Sequence, residues 1–195
     1  GIPRGLNIYE NYPFWHTLLT DLGFDVIISG RSSRNMFMKG MDTIPSESVC
    51  YPAKMVHGHI VDLLEKGVKR IFYPCIPYEK KEYEGSNNHY NCPIVTSYPE
   101  VIKNNVEAIR SDKSIDYMNP FFNLEERKSI PGRIYTEFKR FGITKAQAQQ
   151  AVEKAFAEQD RYKQDMLEKG KETLAWMEKT GTKGIVLAGR PYHID

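Results

Sequence analysis

The stretch from Cys50 to Cys75 decides the fold, and it reads CYPAKMVHGHIVDLLEKGVKRIFYPC. Apolar residues recur in its first part at the i, i+3 and i+4 spacing of a buried helix face, and Gly67 ends the run. Residues Lys69 to Tyr73 (KRIFY) are rich in strand formers and lead directly to Pro74. The sequence therefore predicts a helix that begins after one cysteine and a strand that ends at another.

Flanking segments repeat this alternation. A short apolar segment at Leu6 to Tyr9 precedes Asn11, a good helix cap, and the β-rich run Phe24 to Ser29 follows the first helix, so the opening is predicted to be β-α-β. Pro93 to Ser97 is a fourth apolar β segment, and a helix opens at Tyr98. This order predicts an α/β fold with a Rossmann-like parallel sheet flanked by helices.

The character of the chain changes after residue 110. Leu124 to Phe141 is predicted to be helical, with Pro131 kinking it or starting a second helix. Thr144 caps a very long helix to about Lys179, and Gly184 to Ala188 begins a new strand. We therefore expect a cysteine-bearing α/β domain (1–110), a helical segment with a long connecting helix (111–182) and the truncated start of a further α/β domain (183–195).

Composition excludes several classes of function. Across 195 residues the net charge is only +2, which gives no reason to expect nucleic acid or an acidic membrane surface. No apolar run approaches the roughly 20 residues that span a bilayer, and the N-terminus has no signal segment. We therefore expect a cytoplasmic protein. Its three cysteines are an odd number, which favours reduced thiols or metal ligation over a disulfide scaffold.

Cys50, Cys75 and Cys92 each have a proline within two residues, and each falls at a predicted junction between elements. Ligands bind beyond the carboxyl ends of parallel strands, so the three thiols could meet at one edge. Cys50 precedes a helix, where the dipole favours thiolate. Incidental buried thiols, a thiol enzyme with His57 or His89 as base, and iron–sulfur ligation all remain open. The separations of 25 and 17 residues argue against a zinc knuckle.

Histidines and basic residues give weaker signals. His16 is expected at the surface and His59 in the core, whereas His57 is a less favoured candidate ligand. Gly30 to Arg34 (GRSSR) suits either an anion-binding turn or, preferably, a capped turn with two solvated arginines. Those arginines and Lys54 are the candidate phosphate partners.

Five segments carry a family resemblance. They are IPRGLNIYENYPFW (2–15), IPSESVCYPAK (44–54), FYPCIPY (72–78), NHYNCPIVTSYPE (88–100) and LAGRPYHID (187–195). Together they resemble the domains attached to CoA-substrate-specific enzyme activases, which are similar to the iron–sulfur subunits of 2-hydroxyacyl-CoA dehydratases and to double-cubane cluster proteins. The resemblance covers nearly the whole chain.

This resemblance implies stacked Rossmann-like domains in which Cys50, Cys75 and Cys92 bind a [4Fe-4S] or larger double-cubane cluster. It implies an electron-donating partner, an ATP-hydrolysing activase of the acetate-kinase/Hsp70-like superfamily, often fused upstream. Acyl-CoA is a candidate ligand and a homodimer a candidate assembly. The alternative is a non-catalytic α/β binding or scaffolding domain without a cluster. Because the chain starts without methionine and stops after a predicted strand, we expect a piece of a longer polypeptide.

Overall fold

The computed structural model describes residues 1–194 of the chain, with side chains for residues 1–192, and has a mixed α/β architecture. Its helices are α1 (Ile8–Asp21), α2 (Arg34–Gly40), α3 (Tyr51–Glu65), α4 (Pro93–Asn105), α5 (Glu107–Ser111), α6 (Ile130–Phe138) and α7 (Lys145–Thr180). Its strands are β1 (Arg70–Phe72), β2 (Cys75–Tyr78), β3 (Asp116–Met118) and β4 (Phe121–Asn123). Single 3-10 turns occur at Met41–Thr43, Arg127–Ser129, Lys139–Phe141 and Pro191–Ile194.

Two small parallel sheets lie in succession along the same pair of chain segments. β1 pairs with β3, with Ile71 opposite Tyr117, and β2 pairs with β4, with Cys75 opposite Phe121. A proline precedes each second strand, at Pro74 and Pro120. Because proline has no N–H to donate, each pairing is interrupted there and resumes one residue later.

The N-terminal segment extends the first pairing. Ile2 forms a parallel bridge with Ile28, and the carbonyl of Gly1 accepts the Phe72 N–H at 2.9 Å. The β-rich run at 24–29 thus contributes one bridged residue rather than a full strand. The predicted β-α-β opening is wrong in its first boundary, because α1 already begins at Ile8 with Asn7 as N-cap. The structure therefore shows small parallel sheets flanked by helices, as expected in outline.

Helix α4 replaces the predicted strand Pro93 to Ser97. Pro93 occupies the first helical position, where the missing N–H costs nothing, and Cys92 is the N-cap. The buried residues Val95, Tyr98 and Ile102 then follow at three- and four-residue spacing. The run contains β-branched residues, but its buried face has helical periodicity, and packing on that face decides the outcome.

Helix α2 crosses α3 in close backbone contact. A Cβ added at Gly58 would lie 1.8 Å from the carbonyl oxygen of Met36, and one added at Gly40 would lie 2.2 Å from the Gly58 nitrogen. Only glycine at both positions allows the two helices to approach this closely. The contact fixes α3, and therefore the residues that begin it, against α2.

The long helix α7 confirms its prediction in position and cap. The side chains of Thr144 and Gln147 form a reciprocal capping box, and Gly181 ends the helix in the left-handed conformation. Its buried residues all lie in the first half: Ala148, Ala151, Val152, Ala155 and Gln159. The helix thus packs on the body over about four turns, mainly against α1 and α6.

Gln159 is inserted into the hydrogen-bond ladder of α1. Its Oε1 accepts the Phe14 N–H at 3.1 Å, and its Nε2 donates to the Glu10 carbonyl at 2.7 Å. These two backbone groups would ordinarily bond to each other, four residues apart, beside the helical Pro13. A side chain 149 residues from Glu10 therefore ties α7 to α1.

The predictions for the second half of the chain differ in outcome. Pro131 stands in the first turn of a helix, α6, which confirms that it starts a helix within Leu124 to Phe141, although the residues before α6 form only a 3-10 turn. Residues 184–188 form no strand, and Ile185, Val186 and Leu187 are 98, 94 and 82% exposed. The proposed domain boundaries stay a prediction.

Candidate functional site

Cys50 is the N-cap of α3, as the sequence predicts. It has extended backbone, Pro52 lies in the first turn, and the Cys50 carbonyl accepts the Lys54 N–H at 3.2 Å. The thiol itself makes no capping hydrogen bond and the residue is exposed. The sulfur is therefore accessible at the N-terminus of a helix, beside N–H groups that have no partner within the helix.

Cys92 occupies the equivalent position on α4. It is the N-cap, it is exposed, its thiol caps no backbone group, and its carbonyl accepts the Thr96 N–H at 3.0 Å. Because Pro93 opens a helix rather than the predicted strand, two of the three cysteines cap helices of the α/β body. The sequence anticipated this environment for Cys50 alone.

Cys75 is the buried member of the set. It is the first residue of β2, and its N–H donates to the Pro120 carbonyl at 2.9 Å. Burial, with a smaller contribution from Glu100, raises the pKa of its thiol to about 12, against an opposing effect of Lys103. Without a bound cation, this cysteine is a neutral thiol at physiological pH.

The carbonyl of Ile76, next to Cys75, links the buried cysteine to Cys92. It accepts hydrogen bonds from Asn91 Nδ2 at 2.8 Å and from Thr96 Oγ1 at 3.4 Å. The start of α4 is thus held against the start of β2. Among the side chains of residues 1–192, however, no group of three or more histidine, cysteine or acidic residues is arranged to hold a metal ion.

Tyr192, in the C-terminal 3-10 turn, is within electrostatic range of both exposed cysteines. It is 6% exposed, and burial is the main cause that raises the pKa of its phenol. Arg190 lowers that pKa, whereas the charges of Glu10, Cys92 and Cys50 raise it. Sequence reasoning did not select this tyrosine, although the LAGRPYHID segment contains it.

A partly buried polar network lies beside Cys92, and no sequence motif predicted it. The Arg190 guanidinium pairs with both carboxylate oxygens of Glu10 at 2.5 Å and donates to Asn91 Oδ1 at 3.0 Å. Glu79 Oε1 accepts from Asn91 Nδ2 and from Asn11 Nδ2, both at 2.9 Å. Burial raises the pKa of the Glu79 carboxyl against the lowering effect of these two amides.

This network forms one wall of a cavity of about 680 Å³. The cavity is bounded by the polar loop after β2, the middle of α7 and Pro191. Its lining combines Lys80 and Lys81 with apolar side chains such as Met166 and Leu167. A space of this volume, with a few convergent polar groups, is in the range that binds small organic ligands.

The two histidines of α3 are structural. His59 lies between Ser29 Oγ and Ser32 Oγ, at 2.9 and 3.0 Å, and is fully buried, which confirms the core prediction. His57 is also fully buried, and its Nδ1 and Nε2 contact Thr43 Oγ1 and Tyr98 Oη at 2.7 and 3.1 Å. Both ring nitrogens of His57 are thus engaged, so it offers no free nitrogen to a metal.

The turn at 30–34 adopts the capped form. Ser33 Oγ accepts the Met36 N–H at 3.1 Å, while Arg31 and Arg34 are exposed. The Gly30 N–H donates to Asp62 at 2.9 Å. These contacts account for the turn without an anion.

Fold and site together define a cysteine-bearing α/β domain with two thiols at helix N-termini and a third in an adjoining strand. The chain belongs to the family described as the CoA enzyme activase uncharacterised domain, whose family model matches residues 1–195. No curated protein and no solved structure matches the chain. In residues 1–194, none of the helices combines the length and the apolar character needed to cross a bilayer.

Proposed function

We propose that this domain is the iron–sulfur redox part of a CoA enzyme activase system, with Cys50, Cys75 and Cys92 as the cluster ligands. The electron donor would be an ATP-hydrolysing activase of the acetate-kinase/Hsp70-like superfamily, and the site of action the cytoplasm. The membership in an activase family supports an enzyme partner of this kind. Three thiolates would hold a [4Fe-4S] cluster or part of a double-cubane cluster, which supplies a one-electron redox centre with one iron free of protein ligands.

The observation that carries the proposal is the shared environment of the cysteines. Cys50 and Cys92 present sulfurs that cap no backbone group at two helix N-termini, and both are within electrostatic range of Tyr192. Backbone N–H groups and helix dipoles at such positions stabilise the negative charge of thiolates. Cys75 is linked to Cys92 through the hydrogen bond between the Ile76 carbonyl and the Asn91 side chain.

The donor set suits an iron–sulfur cluster better than other metals. Thiolates are the usual ligands of such clusters, and no free histidine nitrogen adjoins α3 in the described structure. The buried thiol of Cys75 would lose its proton only on binding the cations, so cluster assembly would release a proton there. Because the side chains of residues 1–192 form no preassembled metal group, assembly would also require the three sulfurs to be drawn together.

The same proposal includes acyl-CoA as a ligand and a homodimer as the assembly. The cavity beside Asn91 supports the ligand, since Lys80 and Lys81 line it together with apolar side chains. These lysines make no ion pair within 4 Å among the described residues, and phosphate or carboxylate groups would suit them.

The alternative function is a binding or scaffolding domain that carries no cluster. The observation that favours it is that the side chains of residues 1–192 form no preassembled metal group. The two functions differ in a directly measurable quantity, the iron content of the reconstituted protein.

Anaerobic reconstitution followed by iron and sulfide analysis and EPR spectroscopy tests the proposal. We expect a brown protein with about four irons and four sulfides per chain. Replacing Cys50, Cys75 or Cys92 singly by serine should lower the iron content severely in each case, whereas Ser48→Ala is the matched control beside Cys50. Circular dichroism checks that Cys75→Ser, in the core, remains folded.

Two results would contradict the cluster. One is a colourless protein after reconstitution, and the other is retention of wild-type iron content by all three cysteine variants. Loss of activity on replacement of only one of the three cysteines would instead indicate a thiol enzyme.

A further inference from the structure

Asn91 is the most completely used polar side chain next to a cysteine. It is 5% exposed, and its Nδ2 donates both hydrogens, one to the Ile76 carbonyl and one to Glu79 Oε1. Its backbone N–H donates to the Pro77 carbonyl at 2.9 Å. With both amide hydrogens committed, only Oδ1 remains to be satisfied, and a buried unpaired acceptor is costly.

Arg190 supplies the donor that completes this arrangement. Its Nη2 donates to Asn91 Oδ1 at 3.0 Å while the same guanidinium pairs with both oxygens of Glu10. Glu10 lies in the first turn of α1. The guanidinium therefore joins α1 and the C-terminal segment to the residue directly before Cys92.

The chain reaches this point by folding back from the end of α7. Residues 185–187 are almost fully exposed, whereas Tyr192 is 6% exposed, and the turn at Pro191–Ile194 packs on α1. The Arg190 guanidinium lies 5.8 Å from the centroid of the Tyr192 ring. Arg190 and Tyr192 thus attach this segment to the rest of the fold next to Asn91.

We propose that Asn91 and Arg190 are positioning residues: the Arg190 guanidinium orients the Asn91 amide, and the amide fixes Cys92 against the strand that begins at Cys75. Three covalently adjacent or hydrogen-bonded steps connect the two cysteines, namely Cys92 to Asn91, Asn91 Nδ2 to the Ile76 carbonyl, and Ile76 to Cys75. Arg190 acts one step further out. The significance of this device for cluster binding rests on the function proposed above, but the positioning itself concerns the cysteines with or without iron.

The first test uses the reduced, iron-free chain and the variants Arg190→Gln and Asn91→Asp. Gln removes the guanidinium, whereas Asp removes both Nδ2 donors and places a carboxylate beside Glu79. Hydrogen–deuterium exchange should report an increase of about ten-fold in the exchange rate of the backbone amide at position 91 in each variant. This is the size expected when one buried hydrogen bond is lost. Arg127→Gln is the matched control, because it also removes a bidentate arginine–carboxylate pair, the one with Asp160 on α7.

Iodoacetamide alkylation, followed residue by residue with mass spectrometry, gives the second readout. We expect the alkylation rate of Cys92 to change at least about three-fold in both site variants, because the Asn91 amide no longer fixes Cys92 in one place against β2. Arg127→Gln should leave all three rates unchanged. Arg190→Lys keeps the charge opposite Glu10 and should fall between wild type and Arg190→Gln, which covers the case that Gln prevents folding.

Each outcome is decisive. Exchange and alkylation within two-fold of wild type in both site variants would overturn the proposal, and so would equal increases in Arg190→Gln and Arg127→Gln, which would indicate general destabilisation. If the wild-type chain binds no iron but the site variants still differ from the control, the cluster fails and the positioning role stands. If wild type and Arg190→Gln bind iron equally and react equally, the positioning role fails and the cluster stands.

Discussion

Acidification should destabilise this fold through one buried residue, His57. Thr43 Oγ1 donates its own hydrogen to the Gly40 carbonyl at 2.8 Å, so it must accept from His57 Nδ1. Nε2 of the neutral ring is then the acceptor of the Tyr98 hydroxyl. A second proton on the ring would make Nε2 a donor, so the Tyr98 hydroxyl would have to turn from donor to acceptor and its own hydrogen would lose this partner in the core.

Burial lowers the pKa of His57 from 6.5 to about 4. Between these two pH values the unfolded chain binds a proton that the native fold excludes, so the free energy of unfolding falls as the pH falls through this window. A separation of 2.5 pKa units corresponds to a total of about 3 kcal/mol. Most of it, about 2 kcal/mol, is lost between pH 7.5 and pH 5.

Urea unfolding at pH 7.5 and pH 5, followed by circular dichroism, measures this loss. With a slope of about 2 kcal/mol per molar urea, the midpoint should drop by about 1 M at the lower pH. His57→Gln keeps one donor and one acceptor but cannot titrate, so most of this drop should disappear. His16→Gln, on the half-buried side of α1, should keep the full drop. Identical drops in wild type and His57→Gln would refute the reasoning.

Two further predictions concern packing and are measured by the same urea titration. Gly58→Ala should destabilise the fold by about 3 kcal/mol, because its Cβ would overlap the Met36 carbonyl oxygen. The control Gly170→Ala, with open space around it in α7, should stabilise the fold by about 1 kcal/mol. Destabilisation of similar size at both sites would contradict the close crossing of α2 and α3. Gln159→Ala should cost about 1–3 kcal/mol by leaving two backbone groups of α1 unpaired. Gln149→Ala, whose partner is the exposed Glu153, should change stability by less than about 0.5 kcal/mol, and equal effects of the two would argue against the insertion.

Local sequence patterns located the elements that depend on local interactions. The structure confirms three elements that such patterns predict: the helix after Cys50, the strand before Pro74 and the long helix capped by Thr144. Each rests on periodicity or capping, which act within a few residues. For the segment after Cys92 the predicted strand is wrong, because a proline followed by β-branched residues suits a strand or a helix start equally well.

By itself, the sequence determined where the three cysteines stand relative to prolines and element boundaries, including Cys50 at the start of a helix, and it determined the position and length of α7. Only the tertiary structure decided that Gln159 enters the ladder of α1, that Cys75 is buried while Cys92 caps a helix, and that Arg190 meets Asn91. The physical reason is separation along the chain. A hydrogen bond between residues 99 or 149 positions apart leaves no periodic trace, because it depends on how whole helices pack.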